Sequence, residues 1–183
     1  MTSELTFHSH SEQDTELFGK TLADALQPGL TVALNGDLGS GKTRLVRAVC
    51  EALGADPARV NSPTFVLLQS YTDGRLPVSH FDTYRLADTD EFLAIGADEF
   101  LSEPNVICFV EWADRVAEVL PTDRLTIRIR QTGATSRTIH MSSAGPASDA
   151  VVADVQSSVV GNRQRASDHE ASHRDQAMGP GQA

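Results

Sequence analysis

Apolar positions recur along this chain with two different periods, and the places where the period changes mark out its elements. Leu5-Thr6-Phe7 has the two-residue alternation of a short strand. Ser11, with Asp14 three residues on, has the form of a helix start, and Leu17, Phe18, Leu22 and Leu26 continue along one helical face until Gly29 closes it. Thr31-Val32-Ala33-Leu34 and Val106-Ile107-Cys108-Phe109-Val110 are short apolar runs, which predicts strands covered on both faces. Leu45, Val46, Val49, Cys50 and Leu53 return at helical spacing and end near Gly54, and Pro57 to Pro63 reads as a connector. Asp90 to Leu101 predicts two short helical pieces that meet near Gly96. Leu125 to Arg130 alternates cleanly, as a half-exposed strand does, and Arg137 to Met141 can close a hairpin on it.

A second hairpin is predicted from Thr64 to Leu68 and from Val78 to Phe81, around the turn signal Asp73-Gly74. With a two-residue turn, Phe65 faces Asp82 and Thr64 faces Thr83. Strict alternation then sends the Thr64 and Asp82 side chains to opposite faces, so the ladder must break or twist if both serve one site. Pro77 removes a ladder donor, which predicts an edge position or an irregular hairpin.

From about Ser142 the pattern fades into Ser, Ala, Gly, Gln, Asp and His. Such a stretch buries too little apolar surface to offset the entropy of ordering. The expectation is a folded domain over residues 1–142 and a disordered tail over 143–183, removable without loss of stability, with Val151 to Val160 able at most to form transient structure. A length of 183 residues suits one such domain. The net charge of −10 argues against a dedicated polyanion binder, which needs clustered Lys and Arg. No apolar run approaches the length of a membrane span, and Met1 to His10 lacks the character of a signal peptide. Cys50 and Cys108 lie in apolar patterns and are expected to pack as small hydrophobes in a reducing cytosol.

Chemistry enters at Gly36-Asp37-Leu38-Gly39-Ser40-Gly41-Lys42-Thr43, which fits G-x-x-x-x-G-K-[ST]. Glycines let backbone N–H groups turn toward an anion, Lys42 can reach β- and γ-phosphates, and the Thr43 hydroxyl can join a Mg²⁺ shell. The loop lies between a predicted strand and a predicted helix, the arrangement that aims a helix N-terminus at phosphate. The fold class expected is therefore α/β: a P-loop NTPase-like three-layer sandwich with a mixed, mostly parallel sheet carrying an antiparallel hairpin. Glu111 follows an uncharged strand directly, where α/β sheets place functional side chains. Three further residues stay open on pattern alone. Asp82 fits metal or water binding and also a strand-end cap. Thr64 fits a γ-phosphate sensor and also the opening of a strand. His80 fits a base and also a packed, hydrogen-bonded residue. Trp112 suits the core as well as a site wall.

In order along the chain, Gly36 to Thr43, Ser62-Pro63-Thr64-Phe65, His80-Phe81-Asp82-Thr83-Tyr84-Arg85-Leu86 and Val110-Glu111-Trp112 together resemble the TsaE family, formerly YjeE. These are small bacterial ATPases needed to make N6-threonylcarbamoyladenosine in tRNA. The resemblance covers about residues 4 to 141, and the tail has no counterpart in it. It implies ATP or ADP and Mg²⁺ as ligands, with Gly36, Asp37, Leu38, Gly39, Ser40, Gly41, Lys42 and Thr43 around the phosphates. Thr64 would sit in a switch-like loop near the metal and the γ-phosphate, and Asp82 in the metal shell. Glu111 would hold the metal-bound or attacking water, and Trp112 would support that wall. The implied metal set is Thr43, Thr64, Asp82 and Glu111, and the implied catalytic set is Lys42, Asp82 and Glu111. Ala113 stands where many members have Pro, a change of local stiffness only. The implied partners are the TsaB and TsaD proteins in the cytoplasm, with tRNA met only indirectly and TsaD carrying out the transfer.

A small-molecule kinase is the alternative. Such kinases carry an Arg-rich lid, whereas Leu86 to Pro104 is acidic and contains neither Arg nor Lys. A GTPase would need an Asn-Lys-x-Asp base reader, which the chain lacks.

Overall fold

The computed structural model describes the backbone of residues 2–177 and the side chains through residue 161. Its strands are β1 (Glu4–Ser9), β2 (Thr31–Asn35), β3 (Leu68–Tyr71), β4 (Val78–Asp82), β5 (Ile107–Glu111), β6 (Arg124–Gln131) and β7 (Arg137–Ser143). Its α-helices are α1 (Glu12–Ala25), α2 (Lys42–Ala52), α3 (Thr89–Ala94), α4 (Ala97–Ser102) and α5 (Pro146–Ala177). One sheet runs in the order β1-β7-β6-β2-β5-β4-β3. The central strands β6, β2, β5 and β4 are parallel, and antiparallel strands are added at both edges.

The two-residue period of the strands divides the core in two. Val32 and Leu34 of β2, with Ile107 and Phe109 of β5, face a cluster that includes Phe18 and Leu22 of α1, Leu45, Val46 and Val49 of α2, and Val151, Val152 and Val155 of α5. Ala33, Cys108 and Val110 face the other way, onto Phe92, Ala97, Val116 and Leu120. Helices therefore cover both faces, as the apolar runs of β2 and β5 require. Both cysteines are buried and free. Ser11 caps α1 by accepting the Asp14 N–H at 3.1 Å, as its spacing predicts.

Two expectations are corrected. The first concerns the hairpin register. Leu68 pairs with Phe81 and Tyr71 with Val78, two residues away from the register of a two-residue turn, and residues 72–77 form the connection. Residues 64–67 are not strand. They form a turn in which the Val66 and Leu67 N–H groups both donate to Pro63 O, and Leu67 takes φ 66°. The ladder therefore breaks before Thr64, as a shared site with Asp82 demands, and β3 lies at the sheet edge.

The second concerns the region after residue 142. β7 continues to Ser143, and α5 begins at Pro146. Val151, Val152 and Val155 are fully buried, and Val159 packs against the same cluster. Composition averaged over the whole stretch hides this stripe of four valines at helical spacing, whose burial is worth about 1.5–3 kcal/mol per fully buried side chain. The start of α5 is also capped. Asp123 accepts the Ala147 N–H at 2.8 Å and the Ser148 N–H at 3.0 Å. The expected disorder of residues 178–183 lies outside the described residues. Among the described residues, no helix is long and apolar enough to cross a membrane.

Candidate nucleotide-phosphate site

The loop Gly36–Gly41 leaves the carboxyl end of β2 and runs into α2. Gly36, Gly39 and Gly41 have φ of 147°, 77° and 110°, backbone that side chains rarely adopt. Gly36 has a second reason to be glycine, since a Cβ there would collide with the Ile129 carbonyl of β6. Gly41 is the N-cap of α2 and no side chain caps that helix, so its first N–H groups are left to a ligand.

Lys42 is almost fully buried, and its ammonium donates to Gly36 O at 2.7 Å and Asp37 O at 3.1 Å. The Trp112 ring centroid lies 3.9 Å from Lys42 Nζ. Burial lowers the Lys42 pKa from its ordinary value, opposed by the charges of Glu111, Asp82, Asp37 and Asp114. A cation stripped of water and held by two carbonyls of its own loop is poised to meet an anion.

Asp82 and Glu111 end the adjacent parallel strands β4 and β5 in register with each other. The Thr43 hydroxyl donates to Glu111 Oε1 at 2.7 Å, and His80 Nε2 lies 2.9 Å from the same oxygen. Asp82 Oδ2 accepts from Ser62 Oγ at 2.8 Å and from Thr64 Oγ1 at 2.6 Å, while Oδ1 accepts the Tyr84 N–H at 3.0 Å. Trp112 sits in the left-handed region at φ 58°, held by Thr83, whose hydroxyl lies 2.8 Å from Trp112 O and 3.0 Å from Glu111 O. Its ring is 5.0 Å from that of Tyr84.

These groups line one cleft of about 340 Å³ that takes in Gly39, Gly41, Lys42, Thr43, Thr64, Asp82, Glu111 and Trp112. Gly36 and Asp37 reach it through their carbonyls on Lys42, and Leu38 lines its mouth, largely exposed. Ser40 is buried behind the loop. All the residues singled out from the sequence thus meet in one region. Ser62, His80, Thr83 and Arg137 were not placed in the site from sequence. Ser62 carried a signal in its Ser-Pro-Thr context. Arg137, whose Nε donates to Ser40 O at 3.1 Å across the sheet, carried none.

Among the described residues no group of three or more His, Cys, Asp and Glu could cage a metal ion. Thr43, Thr64, Asp82 and Glu111 are hard oxygen donors spread along one wall of the cleft. That set suits Mg²⁺, which is commonly held by one or two carboxylates together with phosphate oxygens.

A phosphate loop at the carboxyl end of a central parallel strand, with carboxylates ending the next two strands, places the protein in the P-loop NTPase-like α/β class. Comparison narrows this. The family model for Threonylcarbamoyl adenosine biosynthesis protein TsaE matches residues 9–139. The tRNA threonylcarbamoyladenosine biosynthesis protein TsaE of Bacillus subtilis (strain 168) is 39% identical over 142 residues, covering 78% of this chain and 87% of its own. The protein of that name from Treponema pallidum (strain Nichols) is 42% identical over 122 residues, 67% of this chain and 88% of its own. The crystal structure of Bacillus subtilis YdiB superposes with a TM-score of 0.71 at 31% identity, covering 85% of this chain and 96% of that one. The chain belongs to the TsaE family.

Proposed function

We propose that this protein binds ATP with Mg²⁺ in the cleft and hydrolyses it as an accessory step of tRNA threonylcarbamoyladenosine formation, cycling a TsaB–TsaD complex in the cytoplasm. The single observation that carries the reading is the convergence of Lys42 and Thr43, Asp82, and Glu111, from three separate parts of the chain, on one cleft.

The uncapped N-terminus of α2 and Lys42 bind the phosphates. Thr43 and the carboxylates would hold Mg²⁺, and a Thr43 hydroxyl turned to the metal would free one acceptor position on Glu111. Glu111 then orients a water for in-line attack on the γ-phosphorus. A Mg²⁺ ion held there would supply neutralisation of phosphate charge. Asp82 ties the Ser62–Thr64 turn to the end of β4, so the γ-phosphate end of the cleft is coupled to the surface bearing Phe65, Val66 and Tyr84. Phe65 and Val66 are 82% and 66% exposed, large apolar groups on a loop where the Arg85 guanidinium, 4.2 Å from the Phe65 ring centroid, is a polar neighbour. This face, with Trp112 beside it, is the surface proposed to dock TsaB and TsaD. Hydrolysis without an acceptor is useful only through such a coupled change.

Steady-state ATP turnover tests the reading, measured alone and with TsaB and TsaD. The isolated protein is expected to turn over below about one per second, the low end of enzymes, with marked stimulation by the partners. ATP binding with no hydrolysis in either case would defeat the ATPase reading. Phosphoryl transfer to a small soluble acceptor would install a kinase in its place.

A further inference from the structure

His80 is a buried titratable side chain in contact with the site that the proposed chemistry leaves unused. It lies on β4, fully buried, two residues before Asp82 and on the same side of the strand. Its register partner on β5 is Phe109, two residues before Glu111. Every other inward position of these two strands up to the carboxylates is apolar, so packing alone gives no reason for an imidazole. The ring instead reaches along the sheet and sets Nε2 at 2.9 Å from Glu111 Oε1. Its other nitrogen, Nδ1, is buried without a hydrogen-bond partner.

That asymmetry decides which nitrogen of the neutral ring carries hydrogen. Hydrogen on Nδ1 would bury a donor with nothing to receive it and set the Nε2 lone pair against the carboxylate. Hydrogen on Nε2 makes a charge-assisted bond and leaves only a weak acceptor bare. Oε1 of Glu111 thus accepts twice, from His80 and from Thr43. Among the described residues no side chain bonds its second oxygen, and Glu111 lines the cleft.

The two bonds on Oε1 differ in permanence. The Thr43 hydroxyl is the group proposed to leave for the metal, whereas His80 lies behind the carboxylate in the core and does not leave. We infer that His80 is a positioning residue: its Nε2–H holds Glu111 Oε1 through the cycle, keeping the free oxygen aimed at the water after Thr43 has gone. The inference rests on the ATPase reading for its consequence and on the apo geometry alone for its premise, and the experiment separates the two.

The premise is read by ¹⁵N NMR of histidine-labelled protein without nucleotide. The expected spectrum has His80 as the Nε2–H tautomer, with a proton resonance that moves in Glu111→Ala. An Nδ1–H tautomer, or no response to Glu111→Ala, overturns the proposal whether or not the protein hydrolyses ATP. The consequence is read by single-turnover hydrolysis and calorimetric ATP affinity on the same samples. His80→Leu is expected to slow hydrolysis by about tenfold to a hundredfold, the usual cost of losing a group that orients a site ligand. ATP affinity should stay within about threefold. His80→Gln, whose amide can present a donor near the Nε2 position, is expected to recover most of the rate. A folded His80→Leu protein at the wild-type rate overturns the proposal. So does a folded His80→Gln protein as slow as His80→Leu. If His80→Leu fails to fold, His80→Gln and the wild-type spectrum decide. Hydrolysis absent from the wild type, with or without partners, sinks the ATPase reading and leaves the tautomer to decide the role of His80.

Discussion

At Lys42 the ammonium already has two carbonyl partners from its own loop and an indole face beside it. A bound phosphate would have to replace those bonds, and a charged oxygen is a stronger acceptor than a carbonyl. Lys42→Ala removes the cation and leaves the loop carbonyls without it. With about two charge-assisted hydrogen bonds lost at roughly 1.5 kcal/mol each, ATP affinity is expected to fall by about a hundredfold or more. Wild-type affinity by calorimetry would show that this loop is not the site. Glu111→Gln behaves differently in this scheme. It keeps an oxygen for His80 Nε2–H and Thr43 and loses the negative charge, so binding should persist while single-turnover hydrolysis falls by about two orders of magnitude. Collapse of binding instead would make Glu111 structural or a primary metal ligand.

Among the elements, α5 carries the clearest stability prediction. Its buried valines seal the cluster beneath α1 and β7, and at about 1.5–3 kcal/mol each they make several kcal/mol, an upper estimate. Removal of residues 144–183 is therefore expected to lower the thermal midpoint by on the order of 10 °C, using about 2–4 °C per kcal/mol for a chain of this size. An unchanged midpoint would mean that the helix does not pack in solution. The cap gives a pH signature. Partial burial acts to raise the Asp123 pKa, but hydrogen bonds from Ser148 and the Ala147 and Ser148 N–H groups outweigh it and leave the pKa below the ordinary value. A carboxylate with a depressed folded pKa stabilises above its unfolded value, about 3.9, and loses that contribution as pH falls toward the folded value. Thermal midpoints of the wild type and Asp123→Asn should then differ at pH 6 and converge below about pH 4. Parallel curves down to pH 3 would remove Asp123 as the cause.

For the whole molecule, the site spans the centre of the sheet and one edge. Gly36–Gly41 is anchored on β2, with β6 behind it and Arg137 of β7 on Ser40 O. The opposite wall is less secured. Thr64 belongs to a turn beyond the end of the edge strand β3, joined to the sheet through Asp82 and the bond from Asp82 N–H to Leu67 O. Leu67 and Trp112 both hold positive φ, at a cost of order 1–3 kcal/mol each for a side-chain-bearing residue. These strained positions, Trp112 on the cleft and Leu67 in the turn that carries Thr64, lie where the proposed nucleotide-dependent change would act. Hydrogen exchange over residues 62–85 is expected to slow with a non-hydrolysable ATP analogue and Mg²⁺ relative to ADP. Equal protection in the two states would leave the docking surface uncoupled from the nucleotide.

Local repetition determined much of this protein. The apolar runs of β2 and β5, the helical spacing of Leu45 to Leu53, the Ser11 cap and the glycine-rich loop each act within a few residues, so each was legible in the sequence. The order of the motifs even carried Thr64, Asp82 and Glu111 into the site by resemblance. What the tertiary structure alone decided is non-local. The hairpin register is offset by two, and Thr64, outside the ladder, bonds Asp82. The tail became helix because four valines found α1 and β7, a gain that no average over a polar stretch registers. His80 stays open between a base and a packed residue until β5 brings Glu111 beside it, and Arg137 reads as an ordinary strand start until the sheet brings it to the loop. In each case the deciding energy comes from a contact between distant parts of the chain, and periodicity, which compares neighbours, has no access to it.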